Sequence, residues 1–255
     1  YIGSGRDVTE KCVAKEKLQR YYDRLKSDLG VAAATQQSLL PTAVELEELC
    51  GTYGLDLAAF AATSAELGGD LWGYHRLDDR HLGIYMADLS GHGVASAINA
   101  FRLHTVLSAN QPEPGRLKDY ITRLNSTMYN ALPTGQFAAF FYAILDKDAG
   151  RLTYVSCFCP DFTTGQQGSG NFRMLSGAGR PLGISADFEA EERRIDFHQG
   201  DFFFVYSDAL IEAKTPSGKR LPDDWLLHHL PNAAAEPQAQ ASLDYLNSAF
   251  DRDAP

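Results

Sequence analysis

Residues 68–93, GGDLWGYHRLDDRHLGIYMADLSGHG, limit the possible folds more than any other stretch of the chain. Leu71 to Leu77 mixes aromatic and aliphatic residues with polar ones, and His81 to Ala87 is extended again. Asp78-Asp79-Arg80 between them is turn chemistry, so the stretch predicts a β-hairpin. A turn centred on Asp79 pairs Asp70 with Asp88, Trp72 with Met86 and Tyr74 with Ile84. Side chains two apart share a face, which puts both carboxylates at the end of an otherwise apolar face. Directly paired residues have Cβ atoms roughly 4.5–5.5 Å apart. Two half-desolvated carboxylates at that distance repel and raise a pKa unless a cation lies between them.

Downstream of the hairpin, Val94 to Asn110 and Gly115 to Leu132 read as helices, the second stopped by Pro133. Phe137 to Leu145 and Leu152 to Cys157 read as strands around the hairpin turn 146–150. That turn fails as a calcium loop, because its glycine is one position early and Cys157 stands where a bidentate acid is needed. Phe162 to Gly170 (FTTGQQGSG) reads as a flexible polar loop matching neither a Walker A nor a Rossmann pattern. Glu191 to Phe197 alternates as a strand does, and Phe202 to Tyr206 (FFFVY) predicts a strand buried on both faces. Asp56 to Ala65 is expected as a short strand, and 223–230 and 238–250 as closing helices. Strands, two helices, strands, then helices favour an α+β layered domain of antiparallel sheets.

Ahead of this lies a heptad seam. Leu18, Tyr22, Leu25, Leu29, Ala32, Gln36 and Leu39 recur at alternating steps of four and three, with Pro41 as the stop. Residues 6–40 are therefore read as one long helix, either packed on its own domain or connecting two chains or an upstream domain. The opening at Tyr1 rather than a methionine is expected of a chain with something upstream. The domain division expected is 1–41 as helical linker and 42–255 as one globular domain.

A net charge of −10 argues against nucleic acid and an anionic membrane surface as partners. No apolar run approaches the ~18 residues of a membrane span, and the N-terminus does not read as a signal peptide. Cys12, Cys50, Cys157 and Cys159 lack framework spacing, which fits reduced thiols and a cytoplasmic location.

Three acids stand at strand ends: Asp70, Asp88 and Asp208, the last straight after FFFVYS. Oxygen ligands without a histidine or thiol cluster select Mg²⁺ or Mn²⁺. Two such ions bridged by an aspartate are a known device for phosphoryl transfer. His92, between Gly91 and Gly93 and just before a helix, is the candidate general acid. The two glycines let backbone N–H groups approach an anion. No Gly-x-Ser-x-Gly elbow supports a serine hydrolase.

GGD (68–70), ADLSGHGVASA (87–97), RPLGI (180–184), QGDFFFVYSDALIEA (199–213) and the QQSLLP entry (36–41) occur in order. Together they resemble the SpoIIE-type branch of the PPM (PP2C-like) metal-dependent serine/threonine phosphatases, from about residue 35 onward. The resemblance implies an α-β-β-α sandwich with two Mn²⁺ or Mg²⁺ ions between the sheets. It implies that Asp88 bridges the ions, that the Leu89 carbonyl helps, and that Asp70 and Asp208 each hold one. It also implies a substrate phosphorylated on serine or threonine, a STAS-type anti-sigma-factor antagonist or other sigma-factor regulator. An upstream receiver domain, as in RssB-type response regulators, and a homodimer through the N-terminal helix belong to the same expectation. The alternative expected is a phosphatase fold kept as a scaffold that binds a sigma factor or antagonist without turnover. Three departures stand out: Ala209 replaces a glycine, CFCPDF (157–162) replaces Asn-Ala-Gly-His-Pro, and no closing strand follows Asp251 and Asp253. For the last, either a tail lies beyond the sequence, one of those two acids substitutes, or one metal site is incomplete.

Overall fold

The structure, a computed structural model, describes residues 9–62, 67–168 and 170–254. Its centre is a five-stranded antiparallel sheet of order β1-β2-β3-β4-β7. These are β1 (Asp70–Arg76), β2 (His81–Leu89), β3 (Ala138–Asp146), β4 (Arg151–Cys157) and β7 (Glu192–Asp196). A second sheet, of order β6-β5-β8, stacks on it. It contains β5 (Phe162–Gln166), β6 (Phe172–Leu175) and β8 (Asp201–Phe204).

Alternation along the central strand β3 explains the layering. Phe140, Tyr142 and Ile144 point outward to α3 (Val94–Ala109) and α4 (Leu117–Ala131), where Leu103, Leu107, Leu117, Ile121 and Met128 meet them. Phe141, Ala143 and Leu145 point the other way, into a core shared with the second sheet. There Phe162 meets Phe141, Tyr154 and Phe203 edge to face. Beyond the second sheet, α6 (Trp225–Ala233) and α7 (Ala239–Asp253) set Trp225, Leu226, Leu230 and Leu246 against Phe172, Phe202 and Phe204. The order of layers is α-β-β-α, the sandwich that the resemblance implies. Among the described residues no helix is long and apolar enough to cross a membrane, and all four cysteines are free.

The predicted hairpin register holds pair for pair: Asp70 with Asp88, Trp72 with Met86, Tyr74 with Ile84. Two glycines, Gly73 and Gly83, let it form by making room for the Tyr85 and Tyr142 rings. A Cβ on Gly73 would stand 2.4 Å from the Tyr85 hydroxyl, so the glycine gives that ring room to lie across the strand.

Four expectations need correction. Phe162 to Gln166 is not loop but β5, the middle strand of the second sheet. Phe162 and Thr163 there are fully buried, so burial outweighs the polar composition. β8 is an edge strand with both faces only half-buried, not a strand enclosed on both sides. Residues 56–62 are irregular rather than a strand, and 63–65 of that prediction lie outside the described residues. An unpredicted helix, α2 (Ala43–Tyr53), follows Pro41. It is capped reciprocally: Thr42 accepts from the Glu45 N–H, and the Thr42 N–H donates to Glu45 Oε2 at 2.7 Å. Its Leu49 and Tyr53 pack on Leu82, covering the hairpin.

The long helix is real over α1 (Thr9–Gln37). Residues 6–8 of the predicted run lie outside the described residues. The seam divides along its length. Leu18, Tyr22 and Leu25 are more than half exposed. Leu29 and Ala32 are partly covered, Gln36 is buried, and Leu39 packs on the main core.

Candidate metal centre

β1 begins with Asp70 and β2 nearly ends with Asp88, so antiparallel pairing alone brings the two carboxylates side by side. The approach to Asp70 is held from two sides. Gln36 clamps Gly68, donating from Nε2 to its carbonyl at 2.7 Å and accepting from its N–H at 3.2 Å. Gly69 lies so close to the neighbouring strand that a Cβ there would come within 2.6 Å of the Leu89 carbonyl. Only glycine permits that approach.

Asp208 arrives from the second sheet. The FFFVY run ends as a strand at Phe204, and Asp208 opens the short helix α5 (Asp208–Glu212) rather than ending a strand. Ser207, its neighbour, reaches across to Asp70 Oδ2 at 3.5 Å. Asp88 is within hydrogen-bonding reach of both Asp70 and Asp208. Burial, then the charges of Asp70 and Asp208, push the Asp88 pKa up to about 8. Asp70 is also raised, chiefly by burial, with Asp208 adding to it and the bonds to Asp88 and Ser207 opposing it. The structure therefore brings all three predicted acids together, and it does so at a cost in desolvation.

The loop after β2 is anchored on β3. Ser90 N–H donates to the Phe137 carbonyl at 2.8 Å, and Phe137 N–H donates back to Ser90 Oγ at 2.9 Å. Gly91 and Gly93 take φ of 95° and 75°, which explains the glycines. His92 between them is exposed. Among the described residues it makes no hydrogen bond or ion pair, so its position beside Asp88 in sequence is not a contact. The Leu89 side chain is buried in the main core.

Sequence reasoning missed Ser207, and it read Gln36 as a seam residue and part of the QQSLLP entry, not as a clamp on Gly68. The signal for Gln36 was an amide in an apolar seam, which needs a polar partner once buried. Asp253 does not serve the centre. Its Oδ2 accepts from the Trp225 indole N–H at 2.9 Å, within the α6–α7 layer. Asp251 is exposed on α7.

The donor set suits a hard divalent cation: carboxylates only, partly desolvated, repelling one another. Among the described residues no group of three or more His, Cys, Asp or Glu side chains is disposed to hold an ion. The fit is one of donor chemistry, with the Asp70–Asp88 pair at its heart.

Residues 78–254 match the family model described as Stage II sporulation protein E, SpoIIE. The phosphoserine phosphatase RsbU of Bacillus subtilis is 28% identical over 206 residues, 80% of this chain and 59% of that protein. The phosphoserine phosphatase RsbP of the same organism is 23% identical over 198 residues, 76% of this chain and 47% of its own. This chain thus spans about half the length of the curated relatives it matches. Among solved structures, the SiaA-PP2C domain of Pseudomonas aeruginosa superposes with a TM-score of 0.71 at 16% identity, over 91% of this chain and 92% of that one.

Proposed function

The chain belongs to the SpoIIE family of PPM (PP2C-like) phosphatase domains, and from that premise we propose that it is a metal-dependent protein serine/threonine phosphatase. The observation that carries this reading is the Asp70–Asp88 carboxylate pair set side by side by the hairpin, with Asp208 near enough to act on both and with burial favouring the protonated form of Asp88. A carboxyl that ionises only with difficulty becomes a good ligand once a cation replaces its proton.

Asp70, Asp88 and Asp208 would hold two Mn²⁺ or Mg²⁺ ions, Asp88 shared between them because it touches both of the others. The Leu89 carbonyl would add a ligand. Such ions, when bound, supply positive charge against phosphoryl oxygens and a nucleophile at neutral pH. Ser207 orients Asp70 from the second sheet. Gly91 and Gly93 give the loop its left-handed turns, which open a path for a phosphate to the backbone. His92, exposed on that loop, would donate a proton to the departing serine oxygen.

The substrate we infer is a phosphoserine or phosphothreonine on a STAS-type anti-sigma-factor antagonist or related sigma-factor regulator. That RsbU and RsbP are phosphoserine phosphatases supports the phosphoserine part. Residues 1–41 would act as a cytoplasmic linker from an upstream receiver domain, as in an RssB-type response regulator, and 42–255 as its output domain. The exposed half of the α1 seam favours pairing of two copies.

Asp88→Asn is the direct test. It removes Mn²⁺-dependent phosphate release from a phosphoserine protein and removes Mn²⁺ binding measured by calorimetry, with the fold unchanged by circular dichroism. Full activity in that variant would end this reading. Two observations favour the scaffold alternative: among the described residues no three acids are disposed to hold one ion, and Asp253 is committed elsewhere. Calorimetry separates the two, since uptake of two Mn²⁺ ions supports the enzyme and no uptake supports a scaffold that binds a sigma factor or antagonist.

A further inference from the structure

Phe158 is the one non-glycine residue with a positive φ among the described residues, at 66°. For a bulky side chain that conformation is strained, and such strain persists where the surroundings impose it. The usual reward would be burial of the ring, yet Phe158 is 55% exposed. Its neighbours Cys157 and Cys159 are both buried, so the chain presents the ring to solvent from between two inward thiols.

The ring is also tied to the metal centre. It meets Phe137 edge-on, centroids 5.9 Å apart and planes at 84°. Phe137 is the residue that exchanges two hydrogen bonds with Ser90, two positions beyond Asp88. Asp88 pairs with Ala139, and Phe140 with Cys157. Continuing that register one step sets residue 158 level with Ala139, two strand spacings or roughly 10 Å from Asp88. A half-exposed apolar ring held out of its preferred backbone region near the Asp70–Asp88 pair is suited to be covered by an apolar group.

We propose that Phe158 is a substrate-docking residue that selects phosphoproteins carrying an apolar side chain two or three residues from the phosphorylated serine. An extended peptide advances about 3.4 Å per residue, so a side chain at that separation spans the distance from Asp88 to the ring. The proposal rests on the phosphatase reading for its substrate, and its test does not depend on turnover.

The probes are two fluorescein-labelled phosphoserine peptides, one with leucine and one with glycine at the second and third positions on both sides. Their binding to the full chain with Mn²⁺ is followed by anisotropy. The wild type should prefer the leucine peptide by about tenfold, the weight of covering roughly half a leucine side chain. Phe158→Ala and Phe158→Gly should bring the ratio to about one, and Phe158→Leu should keep most of it. Phe158→Gly suits the backbone, so a melting temperature at or above the wild type's shows that the loss is not unfolding. No leucine preference in the wild type, or one that survives in Phe158→Gly, overturns the proposal. Turnover of p-nitrophenyl phosphate is read alongside. Its absence counts against the phosphatase reading, while the leucine ratio decides docking in either case.

Discussion

The His75 ring lies on β1 with 5% of its surface exposed, Nδ1 2.7 Å from the Tyr142 hydroxyl and Nε2 without a partner. Burial brings its pKa down to about 4. A histidine kept neutral in the fold but free to protonate when unfolded contributes stability above pH 6.5, lost as pH falls through about 4. We expect a loss of roughly 2–3 kcal/mol across that window, read as a falling urea midpoint, with His75→Gln lacking this component. Asp88 works in the opposite direction. Its carboxyl, raised to about 8, prefers its proton in the fold, so this contribution is full below the ordinary carboxylate range and is lost as pH rises through about 8. With a chelator present, the melting temperature should decline from pH 6.5 to pH 9, above the window in which His75 opposes it, and Asp88→Asn should flatten that limb. Glycine matters at this scale too. A Cβ on Gly83 would stand 2.3 Å from the Tyr142 hydroxyl, so Gly83→Ala should cost about 1–3 kcal/mol by displacing a fully buried ring.

Among the elements, those with strong periodicity or turn chemistry were legible. The β1–β2 register followed from one turn and the alternation around it, which is why Asp70 and Asp88 could be paired from the sequence. α3 and α4 followed from their stops and apolar spacing. β5 was not legible, because FTTGQ owes its state to Phe141, Tyr154 and Phe203 packing around Phe162, contacts far away in sequence. α2 was legible and overlooked, since Thr42 and Glu45 spell a capping box right after Pro41. Thr42→Ala should cost about 1 kcal/mol, seen as a shift in thermal midpoint. Gln36 could be placed in the α1 seam, but its bonds to Gly68 span 32 positions and no local pattern announces them. Gln36→Ala removes both. It should weaken Mn²⁺ binding by calorimetry and lower stability by about 1 kcal/mol, because the partly buried Gly68 backbone loses both partners.

At the scale of the whole molecule, the three acids draw on different layers. Asp70 and Asp88 belong to the first sheet, and Asp208 follows the last strand of the second. A cation held by all three would fasten the sheets together, so saturating Mn²⁺ should raise the melting temperature of the wild type and leave Asp88→Asn unmoved. Above this body stands α1, whose exposed Leu18, Tyr22 and Leu25 continue the same seam that is buried at Gln36. We expect a dimer by sedimentation at micromolar concentration and a monomer for Leu25→Lys. Gly68, which Gln36 holds, stands two residues before Asp70, so if Asp70 takes a cation, helix seating and cation binding would be linked, and free-energy linkage runs equally both ways. Whatever factor helix docking adds to cation affinity, cation loading must return to helix docking. Amide protons at residues 30–40 should therefore exchange with solvent more slowly once manganese is added, although that segment contributes no ligand at all.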